Sequence, residues 1–252
     1  MSSSSDRRVH AVPLPQALKR EPGLPAPCAA CAARTFSVCA PLDGEAQHRF
    51  FGMATRLQYA PRKLLFQEGD AADHVFNVTE GSVCVSKALS DGRRQITGFL
   101  LPGDFLGLAQ GDSYAYSAET LTETNVCKFP RGRFQRFLAE NPQMEHRLLG
   151  MASNELAAAQ DQMLLLGRKT AIERVASFLV SLSDRRAARG FATSPLPLPM
   201  TRGEIADYLG LTIETVSRAF TKLRKQELIA LETIDRVQIP DLENLRDLAL
   251  GS

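Results

Sequence analysis

No stretch of this 252-residue chain approaches the roughly 20 consecutive apolar residues that a membrane-spanning helix needs. The opening MSSSSDRRVHAVPLPQ has no apolar core of the kind a secretory signal carries, so the cytoplasm is the expected compartment. Charge of one sign is scarce as well: 30 Lys and Arg stand against 28 Asp and Glu, a net charge of +2. That balance excludes a bulk basic field as the means of holding a polyanion, and any nucleic-acid contact must rest on local placement. The histidines His10, His48, His74 and His146 are scattered, and no grouping of His, Asp and Ser suggests an activated nucleophile. No enzyme is expected.

What the chain does have falls into segments. Its length suits about two domains of 100–200 residues each, and a hydrophobic share of 44% is enough for genuine cores. Residues 1–27, rich in Ser, Pro and charge and without periodicity, read as a mobile arm. A cysteine-rich segment follows over 28–40, where CAACAARTFSVC sets Cys28, Cys31 and Cys39 in a C-x2-C-x7-C array. Five cysteines in a cytoplasmic protein point to metal binding or redox chemistry more than to disulfides. Tetrahedral zinc and a cubane iron–sulfur cluster both ask for four ligands, one more than the array supplies. Cys84 in SVCVSK lies on a short alternating strand, where a lone Cys is usually a small core residue. Cys127 in NVCKFPRGRF ends a strand before a Pro-led turn, a better place to meet the N-terminal segment. Spacing alone divides evenly between zinc and iron–sulfur, with redox thiols a further reading; the C-x2-C lacks the βαβ context of a thioredoxin-like site.

From about Asp43 to Phe129 the pattern is one of short strands between turn signals, with Asp91-Gly92 a strong hairpin and Gly69-Asp70, Glu80-Gly81 and Pro102-Gly103-Asp104 at other corners. A sandwich or small barrel is expected. Pro142 can start a helix that runs to about Leu166, roughly 37 Å at 1.5 Å per residue. Met144, Leu148, Met151, Ala159, Met163 and Leu166 recur along it at coiled-coil-like spacing, as a dimer seam would. TAIERVASFLVSLSDRRAARG forms a further helix stopped near Gly190, the loop FATSPLPLPM follows, and LIALETIDRVQIP reads as a two-stranded wing in which Arg236 could touch a DNA backbone. Residues 241–252 read as a short terminal helix.

Between loop and wing lies TRGEIADYLGLTIETVSRAFTKLRK, residues 201–225. Thr201 can cap a helix with Glu204 completing a capping box, Gly210 supplies a turn, and Thr212 can cap a second helix. Ile213, Val216, Phe220 and Leu223 fall on one apolar stripe, leaving Glu214, Ser217, Arg218 and Lys222 on the opposite face. A guanidinium grips guanine O6 and N7, a carboxylate accepts from cytosine N4, and a hydroxyl serves several bases. Thr215, Thr221, Arg224 and Lys225 are placed to hold phosphates. An ordinary amphipathic helix with a solvated face is the bland alternative; the capped pair, the turn Gly and the polar reading face together argue against it.

TRGEIADYLGLTIETVSR closely resembles the helix-turn-helix of the CRP/FNR superfamily of bacterial transcription regulators, and LLPGDFLG (Leu100–Gly107) is similar to a run in that family's β-roll. The resemblance implies an α+β chain: an antiparallel β-roll like that of cyclic-nucleotide-binding domains (41–139), a long dimerisation helix (140–168) and a C-terminal winged helix-turn-helix (169–252). It implies that Glu214, Ser217 and Arg218 read bases while Thr212, Thr215 and Lys222 support them on double-stranded DNA. The E-x-x-S-R pattern implies a TTGAT-N4-ATCAA-like palindrome bound by a homodimer, with Ile213 standing where the cyclic-AMP branch carries an arginine. In the FNR branch, three N-terminal cysteines and one in a V-C-x-x-P context hold an oxygen-labile 4Fe–4S cluster. Val126, Cys127 and Pro130 reproduce that context, implying Cys28, Cys31, Cys39 and Cys127 as ligands. The cyclic-AMP branch binds its phosphate with a Gly-Glu and an Arg-Ser pair; Gly107-Leu108 and Tyr116-Ser117 stand here, so a cyclic phosphate would lack a charge partner and none is expected. The resemblance thus implies an oxygen-responsive regulator of anaerobic or microaerobic genes. An intact cluster would favour a dimer with recognition helices about 34–36 Å apart. RNA polymerase would be contacted by exposed β-roll loops, with the hairpin around Asp91 as the expected contact.

Overall fold

The computed structural model describes residues 23–109 and 111–251, so the arm expected over 1–27 lies outside the described residues as far as residue 22. The described chain opens with one helical turn, α1 (Ala26–Ala29), a 3-10 turn (Arg34–Phe36) and α2 (Gly44–Met53). Strands follow as β1 (Thr55–Tyr59), β2 (Leu64–Phe66), β3 (His74–Glu80), β4 (Val83–Ala88), β5 (Arg94–Leu100), β6 (Phe105–Leu106), β7 (Ser117–Thr120) and β8 (Thr124–Pro130). Three helices come next, α3 (Arg131–Glu140), α4 (Pro142–Arg168) and α5 (Ala171–Ala187). The chain ends through β9 (Leu196–Pro197), α6 (Arg202–Leu209), α7 (Ile213–Lys225), β10 (Ala230–Thr233), β11 (Arg236–Gln238) and α8 (Leu242–Leu250). Among the described residues no helix is long and apolar enough to cross a membrane.

The short alternating runs pair into two four-stranded antiparallel sheets, β1-β8-β3-β6 and β2-β7-β4-β5. Alternation sends Phe76, Val78 and Val126 inward to meet Phe66, Val83, Val85 and Leu106 from between the sheets. The Asp91-Gly92 hairpin joins β4 to β5, with Gly92 at φ 85, a backbone setting that L side chains adopt only at a cost. On the other face of the first sheet, Val75 and Phe129 are paired across β3 and β8 and carry a second apolar layer.

Two helices stand where strands or loops were expected. Residues 44–53 are α2, because Asp43 accepts from the Ala46 N–H at 3.0 Å and Gln47 and Phe50 turn to one buried face. α3 buries Phe134 and Phe137. With Phe50, Met144 and Val38 they cover the Val75–Phe129 face, so a lid of helices lies over the outside of the roll.

α4 runs from Pro142 to Arg168, spanning roughly 40 Å. Its expected seam needs correction. Met144 is buried, and Leu148 and Met151 pack with it against the lid of the same chain, while Leu166 packs on the DNA-binding core. The apolar row left in the open is Leu149, Leu156 and Met163, with 64%, 62% and 71% exposure. These lie a heptad apart, with the small Ala152 and Ala159 between them. A 3–4 spacing fits two neighbouring stripes of one helix, and only packing against the lid separates them.

α5 through α8 share one core of Val175, Leu179, Ile205, Leu209, Val216, Phe220, Leu223 and Leu245. The wing has three strands, ordered β10-β11-β9, because Leu196 of the Pro-rich loop pairs with Val237. This unit is tied to the roll through α6. Arg94 Nε donates to Asp207 at 3.0 Å, Gln95 donates to the Tyr208 carbonyl at 3.3 Å, and Arg62 forks onto Glu204. Arg185 and Arg189 of the α5 end both engage Asp104 of the roll.

Candidate thiol centre and nucleic-acid interface

Pro25 begins the thiol segment by accepting the N–H groups of Cys28 and Ala29 at 2.8 and 2.9 Å, which sets Cys28 in the single turn of α1. Cys31 follows at the end of that turn, its N–H on the Cys28 carbonyl at 3.2 Å. The loop then folds back through the 3-10 turn, burying Val38, Cys39 and Leu42 in the lid core. Cys127 comes from the middle of β8, between Arg56 of β1 and Asn77 of β3 in the ladder. It shares the lid-facing side with Val75 and Phe129.

Cys28, Cys31 and Cys39 all act on the ionisation of Cys127, and Cys39 and Cys127 pack in the lid cluster. Cys84, 1% exposed, lies on the face of β4 opposite to Val83 and Val85, packed with Ile96, Phe99 and the helices of the DNA-binding unit. Burial pushes the thiol of Cys127 up to about 12, and Cys31, Cys39 and Cys28 add to the rise. Burial likewise raises Cys28, Cys31 and Cys39, with Cys31 acting on Cys28, Cys39 on Cys31 and Cys28 on Cys39. The Cys84 thiol is raised to about 11 by burial and then by Glu119 and Glu204, with no cysteine among the causes. Desolvated thiols of this kind ionise readily only when a bound cation offsets the burial. Among the described residues no three His, Cys, Asp or Glu side chains form a set that could hold a single metal ion.

Around the thiols stand groups that the pattern of cysteines did not reveal. Gln47 of α2 donates from Nε2 to Cys28 Sγ at 3.3 Å, and Ser37 Oγ lies 2.9 Å from Cys39 Sγ. Gln47 Oε1 and Asn77 Oδ1 are buried without a hydrogen-bond partner, and both flank the thiols. Arg147 of α4 donates to the carbonyls of Phe36 at 2.6 Å and Ser37 at 3.4 Å, fastening the loop to the long helix. Phe36 itself fills a slot over Gly103, where a Cβ would lie 2.3 Å from its ring. The ring meets Phe191 edge-on at 5.7 Å, and the Arg189 guanidinium sits over it at 5.9 Å. The loop between Cys31 and Cys39 therefore touches the roll, the long helix and the segment just after α5 together. Gln47 had one sequence signal, a turn's distance from the Asp43 cap and Phe50; Phe36 and Arg147 had none.

Inside the roll Phe66 stacks on Tyr114 at 3.8 Å, and Tyr116 accepts the Gly107 N–H at 3.0 Å.

The second site is α7. Thr201 and Glu204 form the capping box of α6, with the Glu204 N–H on Thr201 Oγ1 at 3.2 Å and the Thr201 N–H on Glu204 Oε2 at 2.7 Å. Gly210 turns the chain at φ 61, and Thr212 caps α7 by accepting from Thr215 N at 3.2 Å. Val216, Phe220 and Leu223 are buried, but Ile213 is 53% exposed, a correction to its place on the buried stripe. It occupies the first turn, beyond the edge of the core, and leans over Gly203 of α6. Glu214, Ser217, Arg218 and Lys222 are all exposed. Ser217, Arg218, Thr221, Lys222 and Lys225 line one shallow open surface. The Glu214 carboxyl is held below its usual range by its own backbone N–H, by Thr212 and by Arg218. Arg202, at the start of α6, lies flat over the Phe220 ring at 3.3 Å, and burial lowers its guanidinium to about 10. Sequence reasoning passed over it.

Comparison with known proteins agrees with this geometry. The family model of the cyclic nucleotide-binding domain matches residues 56–141, and that of the Crp-like helix-turn-helix domain matches residues 173–248. The chain is 48% identical over 219 residues to the transcriptional activatory protein AadR of Rhodopseudomonas palustris, covering 87% of this chain and 91% of that protein. It is 45% identical over 204 residues to the nitrogen fixation regulation protein FixK of Bradyrhizobium diazoefficiens, covering 81% and 86%. The structure of FixK2 from Bradyrhizobium japonicum superposes with a TM-score of 0.71 at 39% identity, over 77% of this chain and 96% of that one.

Proposed function

This chain belongs to the CRP/FNR family of transcription regulators, and from that membership we propose that it is an oxygen-responsive activator of anaerobic or microaerobic genes. The observation that carries the oxygen-responsive part is the gathering of Cys28, Cys31 and Cys39 with the sequence-distant Cys127, while Cys84 stands apart. Four thiols with flanking amides and a hydroxyl suit a 4Fe–4S cluster, and these four would be its ligands. When bound, such a cluster supplies an oxygen-labile tie between the N-terminal segment and the roll.

The remaining work falls to the chain's own side chains. Arg147 carries the position of the thiol loop to α4, and Phe36 carries it to Arg189 and Phe191 just after α5. The open row Leu149, Leu156 and Met163 is apolar and of heptad spacing, which suits pairing with a second copy. A two-fold pair would place two α7 helices in successive major grooves of a TTGAT-N4-ATCAA-like palindrome. Glu214, Ser217 and Arg218 would read base edges, with Thr212, Thr215 and Lys222 on the flanking backbone. The exposed hairpin at Asp91 and Arg93 offers charge for RNA polymerase. Gly107-Leu108 and Tyr116-Ser117 offer no charge partner for a cyclic phosphate, which supports a regulator that does not take a cyclic nucleotide.

Anaerobic purification with iron, zinc and acid-labile sulfide assays tests the reading. About four irons and four sulfides per chain, with a visible band that bleaches in air, are expected for a cubane. Zinc without sulfide, in a colourless protein, would remove the oxygen mechanism.

A further inference from the structure

Gln47 is 1% exposed on the buried face of α2, a depth at which a polar side chain normally has every group partnered. Only half of its amide is. Nε2 donates to Cys28 Sγ at 3.3 Å, while Oε1 has no partner among the described residues. Packing does not explain this choice, since a leucine would fill a similar volume without stranding a buried carbonyl oxygen. The second stranded amide among the described residues, Asn77 Oδ1, lies beside the same centre: Asn77 is 3% exposed and sits directly across the β3–β8 ladder from Cys127. Buried amides stranded at both ends of one thiol set mark a place where the set, and not the core, dictates the residue.

Ser37 makes a useful contrast. Its hydroxyl lies 2.9 Å from Cys39 Sγ, but its single proton is also directed to the Arg34 carbonyl at 3.1 Å. The Gln47 Nε2 has no competing acceptor among the described contacts. α2 also holds it firmly, with the Gln47 N–H on the Asp43 carbonyl at 2.7 Å and Phe50 stacked on Phe129 one turn on.

We propose that Gln47 is a positioning residue of the thiol centre: its amide N–H fixes Cys28 Sγ in the ligating attitude and drains part of the sulfur's charge, so that metal retention depends on it. This rests on the four-thiol reading above. Side chains that orient metal ligands in this way typically change metal affinity by about 10–100-fold when removed.

The test uses the full chain, loaded anaerobically, as wild type, Gln47→Leu and the near-isosteric Gln47→Glu. Both variants are expected to take up iron and sulfide, to release iron to a chelator roughly 10-fold faster than wild type, and to shift the Fe–Sγ stretching band in resonance Raman spectra. The melting temperature of the metal-free chain should stay unchanged in at least one of them. Wild-type release rates with an unshifted band in both variants overturn the proposal and leave the cluster reading intact. A wild-type protein holding neither iron nor sulfide overturns both.

Discussion

The residues proposed to contact DNA, Thr212 to Lys222, come from one uninterrupted stretch at α7, whereas the thiol centre joins Cys28, Cys31 and Cys39 to Cys127 on a strand in the middle of the roll. The two also differ in solvent. Glu214, Ser217 and Arg218 stand open, with the Glu214 carboxylate stabilised by its own helix terminus. The four thiols are desolvated and all raised in pKa by burial. One surface is ready for a polyanion as it stands. The other is a set of neutral thiols whose chemistry depends on what it holds.

The largest separation of the two regions is expected from the cysteines. Cys127→Ala should abolish cluster loading and, with it, anaerobic binding to the palindrome, while Cys84→Ala changes little; gel-shift titrations of the two variants under nitrogen make the comparison, and equal affinities would sink the ligand assignment. Next comes the face that joins them. Leu156→Glu places a charge in the middle of the open row on α4, and sedimentation should show a monomer that loads iron normally and binds the palindrome poorly. An unchanged dimer would move the seam elsewhere. On α7 alone, Arg218→Ala should cost about 1–3 kcal/mol and relax specificity at one base pair, whereas Lys222→Ala should weaken all sequences alike and lower the salt slope by about 1. A uniform loss for Arg218→Ala would demote it to a phosphate contact. The smallest effect is expected from Phe36→Ala, which should load normally but narrow the affinity difference between loaded and air-treated protein by about 0.5–2 kcal/mol.

The same contrast explains what was legible in the sequence. The capping box at Thr201 and Glu204, the turn at Gly210 and the Thr212 cap are local devices, and each stands where the pattern put it. So do the Asp91-Gly92 hairpin and the Pro142 helix start. Ile213 was misplaced because helical periodicity cannot say where a core ends along the axis; at 53% exposure it lies past that end. Of the α4 stripe, Met144, Leu148, Met151 and Leu166 were misplaced while Ala159 and Met163 stay open, because two faces of one helix share the 3–4 spacing and only packing within the chain shows which is covered. The lid was itself obscured: GEAQHRFFGM is short, carries a buried Gln and lies among strands. Around the thiols, the V-C-x-x-P context pointed to Cys127 and Gln47 left only its turn spacing from Asp43 and Phe50, but Asn77, Phe36 and Arg147 arrive from separate elements and left no trace in spacing.

In the proposed function the thiol centre governs the DNA-binding surface through the fold between them. This coupling is tested most directly on one anaerobic sample, measuring palindrome affinity and sedimentation together with iron and sulfide content before and after exposure to air. The account predicts that iron loss, dimer loss and affinity loss run in parallel, and that Cys127→Ala starts where the air-treated wild type ends. Palindrome affinity that stays constant while the iron leaves would contradict it.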